Sequence, residues 1–203
     1  MRIAVIDGQG GGIGSLVVKR LRDEFKDTIE VIALGTNAAA TAAMMKSRAD
    51  KGATGESAIA WNVKLVDVII GSLSVVLSHA MLGELTPAMA EAISSSKAQK
   101  ILLPLTQEYV EVVGVVKEPL PHMVEKMIEM VKIIIHRRRN GMCEANAYVY
   151  QEGKEELYLE NVDILIPEEG KIFLKNFFGE QKVFEGAIKE VSLLRHRIIL
   201  EKK

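Results

Sequence analysis

Seven residues near the start of the chain, Gly8-Gln9-Gly10-Gly11-Gly12-Ile13-Gly14, include five glycines. Glycine loses more conformational freedom on folding than any other residue, so this density needs a reason. The cluster stands between a short apolar run, Ile3 to Asp7, and an amphipathic run, Ser15 to Lys26. A strand, a bare turn and a helix offer backbone N–H groups to an anion, most often a phosphate. Gly8, Gln9, Gly10, Gly11, Gly12, Ile13 and Gly14 are therefore candidate contacts for a nucleotide or other phosphate-bearing ligand. The alternative is that they serve only a tight turn and close helix–strand packing. Asn37 is a second candidate, because it follows the next apolar run and its amide can bond a ribose hydroxyl. Cys143, the single cysteine, is the third. Its thiolate is a soft ligand suited to nickel, copper or zinc; its thiol would serve equally as a small core residue opening a strand. One thiolate cannot close a metal site, but two chains about a two-fold axis supply two.

No catalytic set accompanies these residues. The spacing Gly-x-x-x-Gly-Ile-Gly resembles the nucleotide-binding turn of short-chain dehydrogenases. That class needs a Tyr and a Lys four residues apart on one helix face. The only such pair is Tyr150 and Lys154, which flank Gly153 in what reads as a hairpin. The tip of the second strand, Gly35-Thr36-Asn37, has neither the carboxylate that holds an NAD ribose nor an Arg for a 2'-phosphate. His79 is expected to be a satisfied buried histidine, His122 to sit at a helix start and His196 to be solvent-exposed. No paired carboxylates stand out. A rival reading keeps an NAD(P)-dependent oxidoreductase-like enzyme with the C-terminal part as a dimerisation module.

The elements that must position these residues alternate. Residues 3–7, 29–35, 66–71, 100–105 and 109–116 read as buried strands. Residues 15–26, 37–49, 86–96 and 120–139 read as helices. Leu16, Val17, Leu21 and Phe25 share a face of the first, and Thr86 caps the third, with Pro87 at its first turn. Alternating strands and helices predict a parallel sheet with helices on its faces, an α/β Rossmann-like domain over residues 1–140. After Asn140-Gly141 short strands separated by charged, glycine-bearing turns take over, which predicts a small β-barrel over residues 141–203.

Composition narrows the function classes. The chain has 203 residues and a net charge of −1 with 48% apolar residues, which suits folded domains rather than a disordered segment. Acidic residues outnumber basic ones after residue 140, and no aromatic accompanies the basic run at 136–139, which argues against nucleic acid as a partner. No run reads as a membrane span or a targeting signal, and a lone cysteine excludes an internal disulfide, so the cytoplasm is the expected compartment.

Two resemblances follow from particular segments. "IAVIDGQGGGIG", "VIALGTNAAATAAMMK", "GATGESAI", "HAMLGELTPAMAEAI", "KILLPL" and "VGVVKEPLPHMVE" together resemble an uncharacterised bacterial Rossmann-like family, a domain of unknown function. "MCEANAYV" and the strand pattern from Glu160 to Leu200 resemble the CooT family, small dimeric proteins with an SH3-like β-barrel fold. The CooT resemblance implies nickel bound at a dimer interface by Cys143 of each chain. It also implies a homodimer through the C-terminal barrel and a client metalloenzyme, carbon monoxide dehydrogenase. One difference stands out: the family's cysteine follows the initiating Met, whereas Met142-Cys143 is internal and lacks an α-amino group.

Overall fold

The computed structural model describes residues 1–105, 110–116, 118–140, 145–151, 154–168, 170–176, 179–192 and 196–202. The chain divides into two compact units, Met1–Lys132 and Ile133–Lys203.

In the first unit, five strands form one parallel sheet: β1 (Arg2–Asp7), β2 (Glu30–Gly35), β3 (Lys51–Thr54), β4 (Val68–Ser72) and β5 (Gln99–Leu103). Their order is β3-β2-β1-β4-β5. Every residue of β1 from Ile3 to Asp7 is buried, as a central strand covered on both faces requires. Side chains alternate along it, and Ala4 and Ile6 join a core with Ile32, Leu34, Ile59, Ile69, Leu85, Met89 and Ile93. The helices are α1 (Gly12–Phe25), α2 (Ala38–Lys46), α3 (Glu56–Asn62), α4 (Pro87–Ser95) and α5 (Leu120–Asn140). Thr86 Oγ1 accepts the Met89 N–H as the cap of α4, as expected, with Pro87 in its first turn. The buried face of α1 is Val17, Val18 and Leu21; Leu16 and Phe25 are only half-buried. Val124, Met127, Ile128 and Val131 are the buried stripe of α5, and its Glu125 and Lys132 pair with Arg20 and Glu24 of α1.

Three expectations change. β3 and α3 lie in a stretch with no predicted element, because β3 is a four-residue edge strand, Lys-Gly-Ala-Thr, without an apolar pattern. Residues 109–116 were expected as a strand, but the described part, 110–116, forms none. Its valines favour extended backbone, yet propensity without a neighbouring strand to pair with does not make a sheet. The helix after the glycines begins at Gly12, inside the cluster, rather than at Ser15.

In the second unit, six strands form one sheet: β6 (Ala145–Gln151), β7 (Lys154–Glu168), β8 (Lys171–Asn176), β9 (Gln181–Glu185), β10 (Ala187–Ser192) and β11 (Arg197–Glu201). The order is β10-β11-β6-β7-β8-β9, with only β11 and β6 parallel. Strand β7 serves two partners, β6 with its first half and β8 with its second, and bends at Asn161, whose φ is 53°. The two edge strands, β9 and β10, are consecutive in the chain with Gly186 alone between them, so the sheet must curl round upon itself. A Cβ on Gly186 would stand 2.4 Å from the Glu201 carbonyl oxygen, so only glycine makes that passage. Ala145, Ala147, Leu159, Val162, Ile172, Leu174, Phe184, Ile198 and Leu200 fill the interior. The α/β domain followed by a separate curled sheet is the fold class predicted from the sequence.

Candidate functional site

The direction of travel across the first sheet reverses between β1 and β4, and the loops that leave the carboxyl ends of those strands face each other there. In open α/β sheets this crevice is where ligands bind. The glycine cluster is the loop after β1; residues 73–86 are the loop after β4.

The glycines divide into two kinds. Gly11 caps α1 with φ 69°, its N–H bonds Gly8 O at 2.9 Å, and a Cβ on it would lie 2.7 Å from Ala40 Cα. A Cβ on Gly14 would meet Met44 Sδ at 2.5 Å and Asp7 Cβ at 2.8 Å, and one on Gly8 would meet Met81 Sδ at 2.5 Å. These three are needed by the fold. Gly10 and Gly12 are exposed, a Cβ on either meets nothing within 4 Å, and their N–H groups have no partner among the described residues. Packing and turn geometry do not account for this pair. Gly14→Ala should therefore lower stability by roughly 1–3 kcal/mol through overpacking. Gly10→Ala should stay within about 0.5 kcal/mol of the wild type. Thermal melts of both variants decide this, and equal melting points would contradict it.

Two carboxylates occupy the turn, although the sequence showed no pairing. Asp7, at the end of β1, is 5% exposed. Its Oδ1 accepts the Gly8 N–H at 2.9 Å and its Oδ2 the Gly14 N–H at 2.6 Å; the Ile13 N–H also points at it. The chain's own anion thus fills the first turn of α1. Burial pushes the Asp7 carboxyl above its ordinary range, the N–H bonds oppose this without cancelling it, and the Glu84 carboxylate adds to the rise.

Glu84, on the loop after β4, reaches the same turn from the other side. Its Oε2 accepts three bonds: from Gln9 N at 2.8 Å, Thr36 Oγ1 at 2.6 Å and Asn37 Nδ2 at 2.8 Å. Burial is the largest influence and raises its pKa, but the three donors together outweigh it and hold the carboxyl below the ordinary range. Asn37 does more than offer an amide to a ligand. Its Oδ1 caps α2 through Ala40 N at 2.8 Å, and its Nδ2 bonds both Gln9 O, at 3.0 Å, and Glu84. The tip of β2 therefore does hold a carboxylate, contributed from 47 residues further along the chain.

The remaining candidates separate. His79 is exposed and held at φ 66°, not buried as expected, because the loop after β4 carries it outward. His122 lies exposed in the first turn of α5, and His196 is exposed between strands. Tyr150 and Lys154 lie on β6 and β7 rather than on one helix face, and Lys189 Nζ sits 3.4 Å from the centre of the Tyr150 ring. Cys143 lies outside the described residues. Among the described residues no group of three or more His, Cys, Asp and Glu is arranged to hold a metal ion. No helix among them is long and apolar enough to cross a membrane.

Comparison with known proteins supplies the rest. The family described as a domain of unknown function, DUF3842, matches residues 2–136. The family described as CO dehydrogenase accessory protein CooT matches residues 142–201. Among solved structures, a protein assigned as the CooT of Carboxydothermus hydrogenoformans is 49% identical, over 30% of this chain and 98% of that one, with a TM-score of 0.29. A dodecameric FMN-dependent UbiX-like decarboxylase from Escherichia coli O157:H7 is 13% identical over 65% of this chain and 95% of that one, with a TM-score of 0.35. No curated protein matches the chain.

Proposed function

Because the chain belongs to the DUF3842 family through its first two thirds and to the CooT family through residues 142–201, we propose that it is a two-domain accessory protein that carries nickel for a carbon monoxide dehydrogenase-type client. The observation that carries this reading is the 49% identity over 98% of the Carboxydothermus protein. In this reading the domains are 1–140 and 141–203: α5 runs to Asn140 and the CooT match opens at Met142, while the compact units part earlier, inside α5 after Lys132.

Nickel is cargo here, and Cys143 is its ligand. A thiolate suits nickel, and a homodimer through the barrel brings two thiolates to one axis, where backbone nitrogens can complete a square-planar set. Titration of Ni(II) into the purified full chain tests the reading: about one ion per two chains is expected, and no uptake would refute it.

The N-terminal domain binds a nucleotide or other phosphate-bearing ligand at the crevice between β1 and β4. Support comes from Gly10 and Gly12, whose open surroundings, and N–H groups without a partner among the described residues, leave room for a ligand's close approach. Thermal-shift screens against NAD, NADP, ATP, GTP and FMN should reveal it. Gly12→Val should then erase the ligand-induced shift while leaving the free protein's melting point within a few degrees of wild type, because Gly12 stands exposed at the first position of α1. No shift with any ligand would leave the glycines purely structural.

A further inference from the structure

Asp7 accounts for the first turn of α1, but the three donors on Glu84 do not belong to that turn. Gln9 N–H, the Thr36 hydroxyl and one Asn37 amide hydrogen converge on a single oxygen, Glu84 Oε2, at 2.6–2.8 Å. They come from two separate segments, the glycine turn and the tip of β2. Such a group of one backbone and two side-chain donors around an oxygen is what binds an anion, and charge makes these bonds stronger than neutral ones. Gly8 borders the same place: a Cβ there would stand 3.0 Å from Glu84 Oε2.

Only the tip of the loop that brings Glu84 in, Leu82 to Glu84, stands clear of the core; Ala80, Met81 and Leu85 on either side are buried in it. The loop's backbone bonds close on the loop itself, His79 N to Leu85 O at 2.7 Å and Leu85 N to Ala80 O at 3.1 Å. His79, Met81 and Leu82 all have φ between 58° and 66°, a region that side-chain-bearing residues seldom adopt and that costs about 1–3 kcal/mol per residue. Leu82 is 96% exposed, so its side chain does not hold the loop down. Met81 and the Glu84 carboxylate are the contacts against the glycine turn.

We propose that Gln9 N–H, Thr36 Oγ1 and Asn37 Nδ2 form an anion seat in which Glu84 is an exchangeable occupant, and that a phosphate group of the ligand takes the seat when the loop tip, Leu82 to Glu84, carries Glu84 away. This rests on the reading of the N-terminal domain as a phosphate binder and adds a gate to it. A ligand that must first displace Glu84 binds with an apparent affinity reduced by the fraction of chains already open, so removing the resident anion should tighten binding.

The test compares wild type, Glu84→Ala and Glu84→Ala/Thr36→Val, titrated with pyrophosphate and with NAD, each variant first checked for a cooperative melt. Glu84→Ala should bind both about tenfold more tightly or better, and Thr36→Val should reverse the gain. Equal or weaker binding by Glu84→Ala, with wild type still binding, would overturn the gate while the phosphate reading stands. A gain for NAD with none for pyrophosphate would overturn phosphate as the occupant. No binding by any form would overturn both readings. If Glu84→Ala does not fold, hydrogen exchange on the wild type decides: saturating pyrophosphate should speed exchange across residues 82–84, and unchanged or slower exchange there would contradict displacement.

Discussion

Replacing Cys143 with serine should lower the nickel affinity of the full chain by roughly a hundredfold or more, beyond the 10–100-fold typical of losing an outer-shell partner. The thiol, with an ordinary pKa of about 8.5, ionises on binding a soft cation, whereas the serine alcohol does not ionise near neutral pH. If one site takes a thiolate from each of two chains, the substitution removes both together. The same chemistry sets the pH dependence. Each thiol must shed a proton to bind, so affinity should fall as pH drops from 8 to 6. Isothermal titration with Ni(II) at both pH values measures the two effects. Equal affinity in wild type and Cys143→Ser would leave Cys143 a core residue and remove the metal role.

The second large effect concerns the first domain. Asp7→Ala should cost about 2–4 kcal/mol in denaturant unfolding, because it leaves the Gly8, Ile13 and Gly14 N–H groups facing a buried void. Asp7→Asn should cost less, since its amide oxygen still accepts one of the two N–H groups and it gives up a charge that burial disfavours, while its NH2 leaves the other N–H without an acceptor. The pH dependence separates Asp7 from Glu84. Burial raises the folded pKa of Asp7, so its contribution is fully present below the unfolded value of 3.8 and is lost as pH rises through the folded value. The stability advantage of wild type over Asp7→Asn should therefore grow toward acid pH. Glu84 has the opposite sign. Its donors lower the folded pKa, so its contribution is present above the unfolded value of 4.5 and fades as pH falls through the folded one. The advantage of wild type over Glu84→Gln should shrink toward acid pH. Parallel slopes for the two variants would contradict the hydrogen-bond assignment.

The parts of this molecule that are legible in the sequence are those whose reasons are local. The apolar run Ile3 to Ile6 of β1, the glycines and the amphipathic α1 announce a strand, a turn and a helix. The Thr86-Pro87 start of α4 and the strand-and-turn rhythm after residue 145 are equally plain. Glu84 is not, because its bond to Gln9 crosses 75 residues and its neighbours, Gly83 and Leu85, carry no motif. Asp7 ends an apolar run and gives no sign that it turns back onto α1. Nor does the glycine spacing distinguish Gly14, needed for packing against Met44, from Gly12, which meets nothing; that difference exists only once α2 is in place. Gly186 likewise reads as an ordinary turn residue until the sheet curls and Glu201 comes within reach.

Native mass spectrometry of the full chain, equilibrated with slightly less than one Ni(II) per two chains, tests the account's central claim most directly. The account predicts a dimer carrying a single nickel ion, with the Cys143→Ser chain remaining metal-free under the same conditions. A chain that takes up no nickel, or takes up the same amount with serine at position 143, would contradict it.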